Sequence, residues 1–331
     1  MKHLIIILHA LLAASALADA PLTLVLHGGA GAERKKLTPE KEAACRLVLE
    51  DALRKGFSVL KEGGSSEKAV LASVVVLEDS PLFNAGRGAA LTRDGTVEMD
   101  AALMVGSTGL AGAVANVHGV RNPILLAQKV MMKSPHVLMI GKGAEDLARQ
   151  EMLRFEEPEW FITPEQVERL ERAKKKDLPK GAFVPGTVGE PSLLIGTVGA
   201  VALDHEGNLA AATSTGGLAG KLPGRVGDSP LIGSGTFAEK GVCAVSCTGH
   251  GEFFIRNVVA HDVAARMKYA GASLADATKD IICKKLKKLD ARGGLIAVDT
   301  QGNIATPFNS EGMFRATMGP DGVAHIAIFE E

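Results

Sequence analysis

Aromatic side chains are scarce in this sequence, 4% of 331 residues, so its core cannot rest on large rings. Its 38 glycines point instead to Ala, Val, Leu and Ile packing threaded by tight backbone turns. An excess of charge of either sign is also missing: 37 basic against 38 acidic residues leave a formal net charge of -1. No global field then exists to attract nucleic acid or an anionic membrane. Cysteine is limited to four residues. Cys243 and Cys247 lie four apart in one apparent strand, roughly 13 Å by strand rise, too far to bond each other. Cys45 and Cys283 fall in helical patterns, none of the four has the paired spacing of a zinc site, and buried free thiols are the expected state. His27, His118, His250 and His261 show no ligand pairing at helical or hairpin spacing. Core or surface roles are expected of them, with His250 adjoining the site described below.

Long apolar runs are missing after the first twenty residues. Lys2 supplies a positive start, Leu4 to Leu17 an apolar stretch, and Ala16, Leu17, Ala18 an AxA cleavage pattern. The stretch is too short for a comfortable membrane span. Cleavage after Ala18 is expected in preference to Ala20, because Pro21 would then follow the scissile bond and hinder a protease. On this reading residues 1–18 are a signal peptide, and the protein is exported (periplasmic or secreted) with no membrane association once the signal is removed.

What is present is ordinary globular composition, 46% apolar and 23% charged. An apolar strand over Leu22 to Leu26 runs into the glycine-dense HGGAG. Helices are expected from Thr38 and Pro39 through Ala52, and from Ser65 or Ser66 to Leu77. SPLFNAGRG, Ser80 to Gly88, ends the second. Strands follow over Val97 to Val105 and Ala111 to Val117, then helices over Ile124 to Met132, Ala144 to Leu153 and Thr163 to Lys176. Lys174 to Gly189 loses periodicity and is expected to be a mobile connection. Beyond it come strands over Leu193 to Leu203, Leu209 to Thr215 and Val242 to Thr248, helices over Phe254 to Tyr269 and Leu274 to Leu286, and strands over Gly294 to Asp299 and His325 to Phe329. Hairpins grouped apart from helices imply layers around antiparallel sheets rather than βαβ winding.

The chemistry concentrates in Gly196 to Gly217, GTVGAVALDHEGNLAAATSTGG. Two strands joined through Asp204 to Asn208 form a hairpin in which Thr197 and Thr215 can be cross-strand neighbours. A Thr hydroxyl needs a base, and the nearest is its own α-amine once exposed as a chain terminus. That requires scission between Gly196 and Thr197, for which a residue without a Cβ leaves an accessible carbonyl. GRVGDSP, Gly224 to Pro230, places Arg225 and Asp228 three apart. A guanidinium fork takes a carboxylate and a carboxylate takes an ammonium, so the pair could hold an α-amino acid. In TGHGE, Thr248 to Glu252, a hydroxyl and the bare amide of Gly249 could form an oxyanion hole. Taken singly, these are a turn with a β-former, a surface ion pair and an ordinary turn.

In combination they resemble the plant-type L-asparaginase and isoaspartyl peptidase family of N-terminal nucleophile hydrolases, over nearly the whole mature chain. HGGAG (His27 to Gly31), LFNAGRG (Leu82 to Gly88), NPILLAQKVM, GTVGAVALD, TSTGG, GRVGDSP and TGHGE occur in the family's order and spacing. The resemblance implies an α+β fold, a four-layer αββα sandwich autocleaved into two chains of one hydrolase domain, residues 19–196 and 197–331. It implies Thr197 as nucleophile and self-cleaving residue, Thr215 as its hydrogen-bonding neighbour, and Asn84 beside it. Arg225 and Asp228 would clamp the substrate, Thr248 and Gly249 would bind it and stabilise the oxyanion, and Gly251 would line the site. No cofactor is implied for catalysis. A structural sodium ion (Na+) is implied on the backbone carbonyls of Leu77, Glu78, Ser80, Phe83, Ala85 and Arg87, and a homodimer of cleaved protomers as the assembly. One position departs from the family: Gly220 stands where an Asn usually precedes the Lys after TSTGG.

The implied activity is hydrolysis of L-asparagine to aspartate and ammonia and of β-aspartyl (isoaspartyl) dipeptides. Glycosylasparaginase is the nearest rival, but its pattern has DT, TSTNG and TGNGD where this chain has GT, TSTGG and TGHGE. A non-catalytic exported amino-acid-binding protein using only Arg225 and Asp228 would remain one chain and release no ammonia from asparagine.

Overall fold

The computed structural model describes residues 20–175 and 196–330. The expected leader and nearly all of the expected connection over 174–189 lie outside the described residues. In chain order, strand β1 (Thr23–Ala30) precedes helices α1 (Pro39–Lys61) and α2 (Ser66–Asp79). Strands β2 (Met99–Val105) and β3 (Ala111–Val117), helix α3 (Pro123–Lys133), strand β4 (Leu138–Ile140) and helices α4 (Gly141–Gln150), α5 (Pro158–Phe161) and α6 (Pro164–Lys174) follow. After Gly196 come β5 (Val198–Leu203), β6 (Leu209–Thr215), β7 (Thr236–Ala238) and β8 (Cys243–Gly249). Helices α7 (Gly251–Asn257), α8 (Val259–Ala270) and α9 (Leu274–Lys279), a π-helical turn over Asp280–Leu286, and strands β9 (Gly293–Asp299), β10 (Ile304–Ala305), β11 (Gly312–Met318) and β12 (Ala324–Phe329) complete it.

The helix starts follow their local signals. Thr38 and Ser65 take extended backbone, and their hydroxyls accept from the amides of Lys41 and Lys68, with Pro39 in the first turn of α1. Thr163 does the same for α6 through Gln166.

The fold is mixed α/β, with two sheets among the described residues. One orders its strands β12-β11-β1-β5-β6-β2-β3-β4, the other β10-β9-β8-β7. All pairings are antiparallel except β3 with β4. Strand alternation explains how the sheets pack. Leu24 and Leu26 of β1, Val198, Ala200 and Ala202 of β5, and Ala210 and Ala212 of β6 point into a core shared with α1, α2 and α3. The opposite set, Val25, Val201, Leu203, Leu209 and Ala211, meets Ala244, Ile296 and Val298 of the second sheet. The far face of that sheet, Cys243, Val245, Cys247, Leu295 and Ala297, buries against α7 to α9. Cys45, Cys243, Cys247 and Cys283 are free thiols, the first three buried.

Two helical expectations need correction. Phe254 to Tyr269 is not one helix: Val258 adopts φ 47, ψ 51 between α7 and α8. There α8 starts afresh, its Ala260 and His261 amides donating to the Ser234 and Gly233 carbonyls. Leu274 to Leu286 begins α-helical and passes into the π-helical turn. Strands β4, β7, β10 and β11 carried too little apolar alternation to be read from sequence.

Candidate active site

Thr197 sits immediately before β5 and Thr215 ends β6, and the register Val198 to Ser214 brings them opposite each other. The Thr197 hydroxyl donates to Thr215 Oγ1 at 3.0 Å, and the same oxygen accepts from the Gly217 amide at 2.9 Å. Both threonines are buried. One cleft is lined by Asn84, Gly196, Thr197, Thr215, Arg225, Asp228, Thr248 and Gly249, together with Ala30, Gly217, Leu218, Gly227 and Ser229. Asn84 reaches it from the loop after α2: its Nδ2 donates to the Gly217 carbonyl at 2.7 Å and its Oδ1 accepts from the Ala90 amide at 2.7 Å. It therefore braces the turn that ends β6.

Gly196 is held from two sides. Gly29, at φ +104, lies so close that a Cβ there would come within 2.2 Å of the Gly196 nitrogen. HGGAG is glycine-rich at this point because backbone meets backbone. On the other side is the Thr248 hydroxyl, which accepts from the Ala30 amide at 3.3 Å and so keeps its own hydrogen free to donate. Gly249 follows it into the cleft.

Arg225 and Asp228 converge on Gly251. A Cβ on Gly251 would lie 2.9 Å from Arg225 Nη2 and 3.0 Å from Asp228 Oδ1, so any side chain there would displace these two groups. Arg225 is further oriented by Glu252, whose carboxylate accepts from Nε at 2.9 Å and Nη2 at 3.0 Å. This bidentate pair fixes the guanidinium plane. Asp228 is almost completely buried, and that burial raises its pKa to about 7 against a smaller opposing effect of its own backbone amide and Arg225. Nearby, buried Lys221 donates to the Glu98 carbonyl at 2.8 Å, and the Gly224 amide donates to Glu98 Oε2 at 2.9 Å. Desolvation lowers the Lys221 pKa, which neighbouring Asp100 and Glu98 oppose.

The Asparaginase family profile matches residues 20–328. The chain belongs to this family. An isoaspartyl peptidase of Salmonella typhimurium is 50% identical over 297 residues, covering 88% of this chain and 94% of that protein. A protein of Arabidopsis thaliana named probable isoaspartyl peptidase/L-asparaginase 2 is 40% identical over 93% of this chain and 98% of its own length. A plant-type L-asparaginase of Pyrobaculum calidifontis is 41% identical over 91% and 98% respectively.

Against the family pattern, Gly220 lies outside the cleft lining. Its φ of +73 belongs to the region where Gly and Asn are the favoured residues. The exchange thus preserves the backbone turn, while a Cβ at this position would press to 2.9 Å from Ala173 of α6. Sequence reasoning missed Gly29, Glu252 and Leu218 as neighbours of the site. It also assigned His27 only to core or surface. The ring is fully buried, with Nδ1 2.9 Å from the Thr197 carbonyl, and burial lowers its pKa to about 3. Among the described residues no group of His, Cys, Asp and Glu could hold a metal ion.

Proposed function

We propose that this protein is a self-processing threonine hydrolase that converts L-asparagine to aspartate and ammonia and cleaves β-aspartyl dipeptides. The observation that carries the reading is the Thr197 hydroxyl, poised against Thr215 in one cleft with a guanidinium, a carboxyl group and a free hydroxyl donor. In processing, Thr197 Oγ adds to the Gly196 carbonyl carbon and the peptide nitrogen leaves as the Thr197 α-amine. The resulting ester is opened by water, which leaves a carboxylate on Gly196. In turnover, that amine accepts the hydroxyl proton as the oxygen adds to the substrate side-chain amide. Thr248 and the Gly249 amide stabilise the oxyanion. The proton passes to the departing ammonia or amino acid, and water releases aspartate from the acyl-enzyme. Arg225 holds the substrate α-carboxylate and Asp228 its α-ammonium, so asparagine and β-aspartyl peptides share one clamp and differ only in the leaving group. The names of the relatives support both activities.

The reading includes a four-layer αββα sandwich cleaved after Gly196, supported by the two faces that each sheet buries. It includes a structural sodium on the carbonyls of Leu77, Glu78, Ser80, Phe83, Ala85 and Arg87. In support, Leu77, Glu78 and Ser80 lie at the C-terminal end of α2, where the helix dipole is negative and the last turn carries no basic side chain, and the Arg87 amide returns to donate to the Glu78 carbonyl. The ion would brace the loop bearing Asn84 and take no part in the chemistry; a melting temperature no higher in sodium than in choline chloride would remove it. Export and the homodimer rest on the leader pattern and the family resemblance. Amino-terminal sequencing of the mature protein and size-exclusion chromatography test them. For the function itself, purified protein should release ammonia from asparagine and leucine from β-aspartyl-leucine. Release of neither product would contradict the assignment.

A further inference from the structure

The layer between the two sheets is apolar except near the cleft, where a line of polar side chains crosses it. His27 on β1 lies with Nδ1 2.9 Å from the Thr197 carbonyl and Nε2 2.9 Å from Ser246 Oγ on β8. Ser246 Oγ is 2.7 Å from Thr213 Oγ1 on β6, and Thr236 Oγ1 on β7 lies 2.6 Å from Thr213 Oγ1 and 3.0 Å from the Ser229 carbonyl oxygen. His27, Ser246, Thr213 and Thr236 are all fully buried. The line runs from the carbonyl of Thr197 to the residue that follows Asp228. It also accounts for Gly199, the second glycine of GTVG, since a Cβ there would lie 2.1 Å from Ser246 Oγ and 2.4 Å from His27 Nε2.

We infer that His27 is a positioning residue for the nucleophile, holding the Thr197 carbonyl through an Nδ1–H that the Ser246, Thr213 and Thr236 hydroxyls keep in place. The direction of the chain follows from donor chemistry. A carbonyl oxygen only accepts, so Nδ1 carries the hydrogen. Burial keeps the ring neutral, which leaves Nε2 a bare acceptor for the Ser246 hydroxyl. Ser246 Oγ then accepts from Thr213, whose other acceptor, the Gly235 carbonyl, is farther away at 3.3 Å. Thr213 in turn accepts from Thr236. Free imidazole has no such one-way constraint; here the tautomer is set by the acceptor at one end and the hydroxyl line at the other. Once the peptide bond before Thr197 is gone, the residue has lost its chain tether on that side. The His27 bond to its carbonyl still fixes where the amine and hydroxyl stand relative to Thr215.

This inference rests on the reading of Thr197 as nucleophile, and its test separates the two. Asn offers an amide N–H near the place of Nδ1–H, whereas Gln presents its amide near the place of Nε2. His27→Gln should lower kcat by roughly 10- to 100-fold, the scale expected when a reacting group is misplaced, with KM nearly unchanged because the Arg225 and Asp228 clamp is not touched. His27→Asn should recover most of that kcat. Equal losses in both variants, or a loss confined to KM, would overturn the positioning role. A second measurement needs no variant and no activity. Nitrogen-15 correlation spectra of histidine-labelled protein at pH 7 should show His27 as the neutral Nδ1–H tautomer, and an Nε2–H tautomer or an imidazolium would overturn the proposal. An inactive enzyme that retains the Nδ1–H signature would count against the hydrolase reading and leave the placement of His27 intact.

Discussion

To hold a substrate ammonium as proposed, Asp228 would have to be ionised, yet burial raises its pKa to about 7. Below that pH the clamp increasingly carries a neutral acid, which binds a cation poorly. KM for asparagine should therefore rise as pH falls from 8 to 6, and the Asp228→Asn enzyme should show a high KM that no longer depends on pH. A wild-type KM that stays flat across this range would remove Asp228 as the ammonium partner. At this scale the chemistry of Thr197, Arg225, Asp228 and Thr248 was enough to group them in the sequence, and the structure brings all four to one cleft. Gly29, Glu252 and the role of His27 were not legible. Their importance lies in what approaches them across 160 or more residues of chain in the cases of Gly29 and His27, and no local pattern encodes that approach.

The hairpin of β5 and β6 delivers both threonines to one end while its turn is pinned at the other. Buried Asp204 accepts from the Glu206 and Asn208 amides within the turn and, through Oδ2, from the Ser66 amide at 2.9 Å at the start of α2. Asp204→Ala leaves those donors without their charged acceptor. It should lower unfolding free energy by about 2–4 kcal/mol, measured by urea denaturation; a loss below about 0.5 kcal/mol would show that the anchor is not needed. This hairpin was readable from alternation and its Asp-to-Asn turn. The break at Val258 was not, because a β-branched residue in left-handed backbone has no sequence signal and its reason lies in the carbonyls of Gly233 and Ser234. The edge strand β4 and the interior strand β11 were hidden for a related reason. One is three residues long, and in the other Arg315 and Thr317 interrupt the apolar run of a strand that is nonetheless paired on both sides.

At the scale of the molecule, the two sheets of the described residues meet through a mainly apolar layer with a polar end, and the cleft forms there. Every group assigned to processing or turnover comes from a strand end or a loop leaving one: Thr197 and Thr215 from the hairpin, Thr248 and Gly249 from β8, Arg225 and Asp228 from the loop before β7. On the proposed reading, Thr197 answers for two events in sequence on the same chain. In the proposed processing its oxygen would make the ester to Gly196; in the proposed turnover its new α-amine, with a reference pKa of about 7.7–8.0, would serve as base for the same oxygen. The most direct measurement is mass spectrometry of purified Thr197→Ala alongside its ammonia release from asparagine. The account predicts one chain, intact across Gly196 and position 197, with no release of ammonia. A variant that is cleaved at that bond, or that still turns over asparagine, would contradict it.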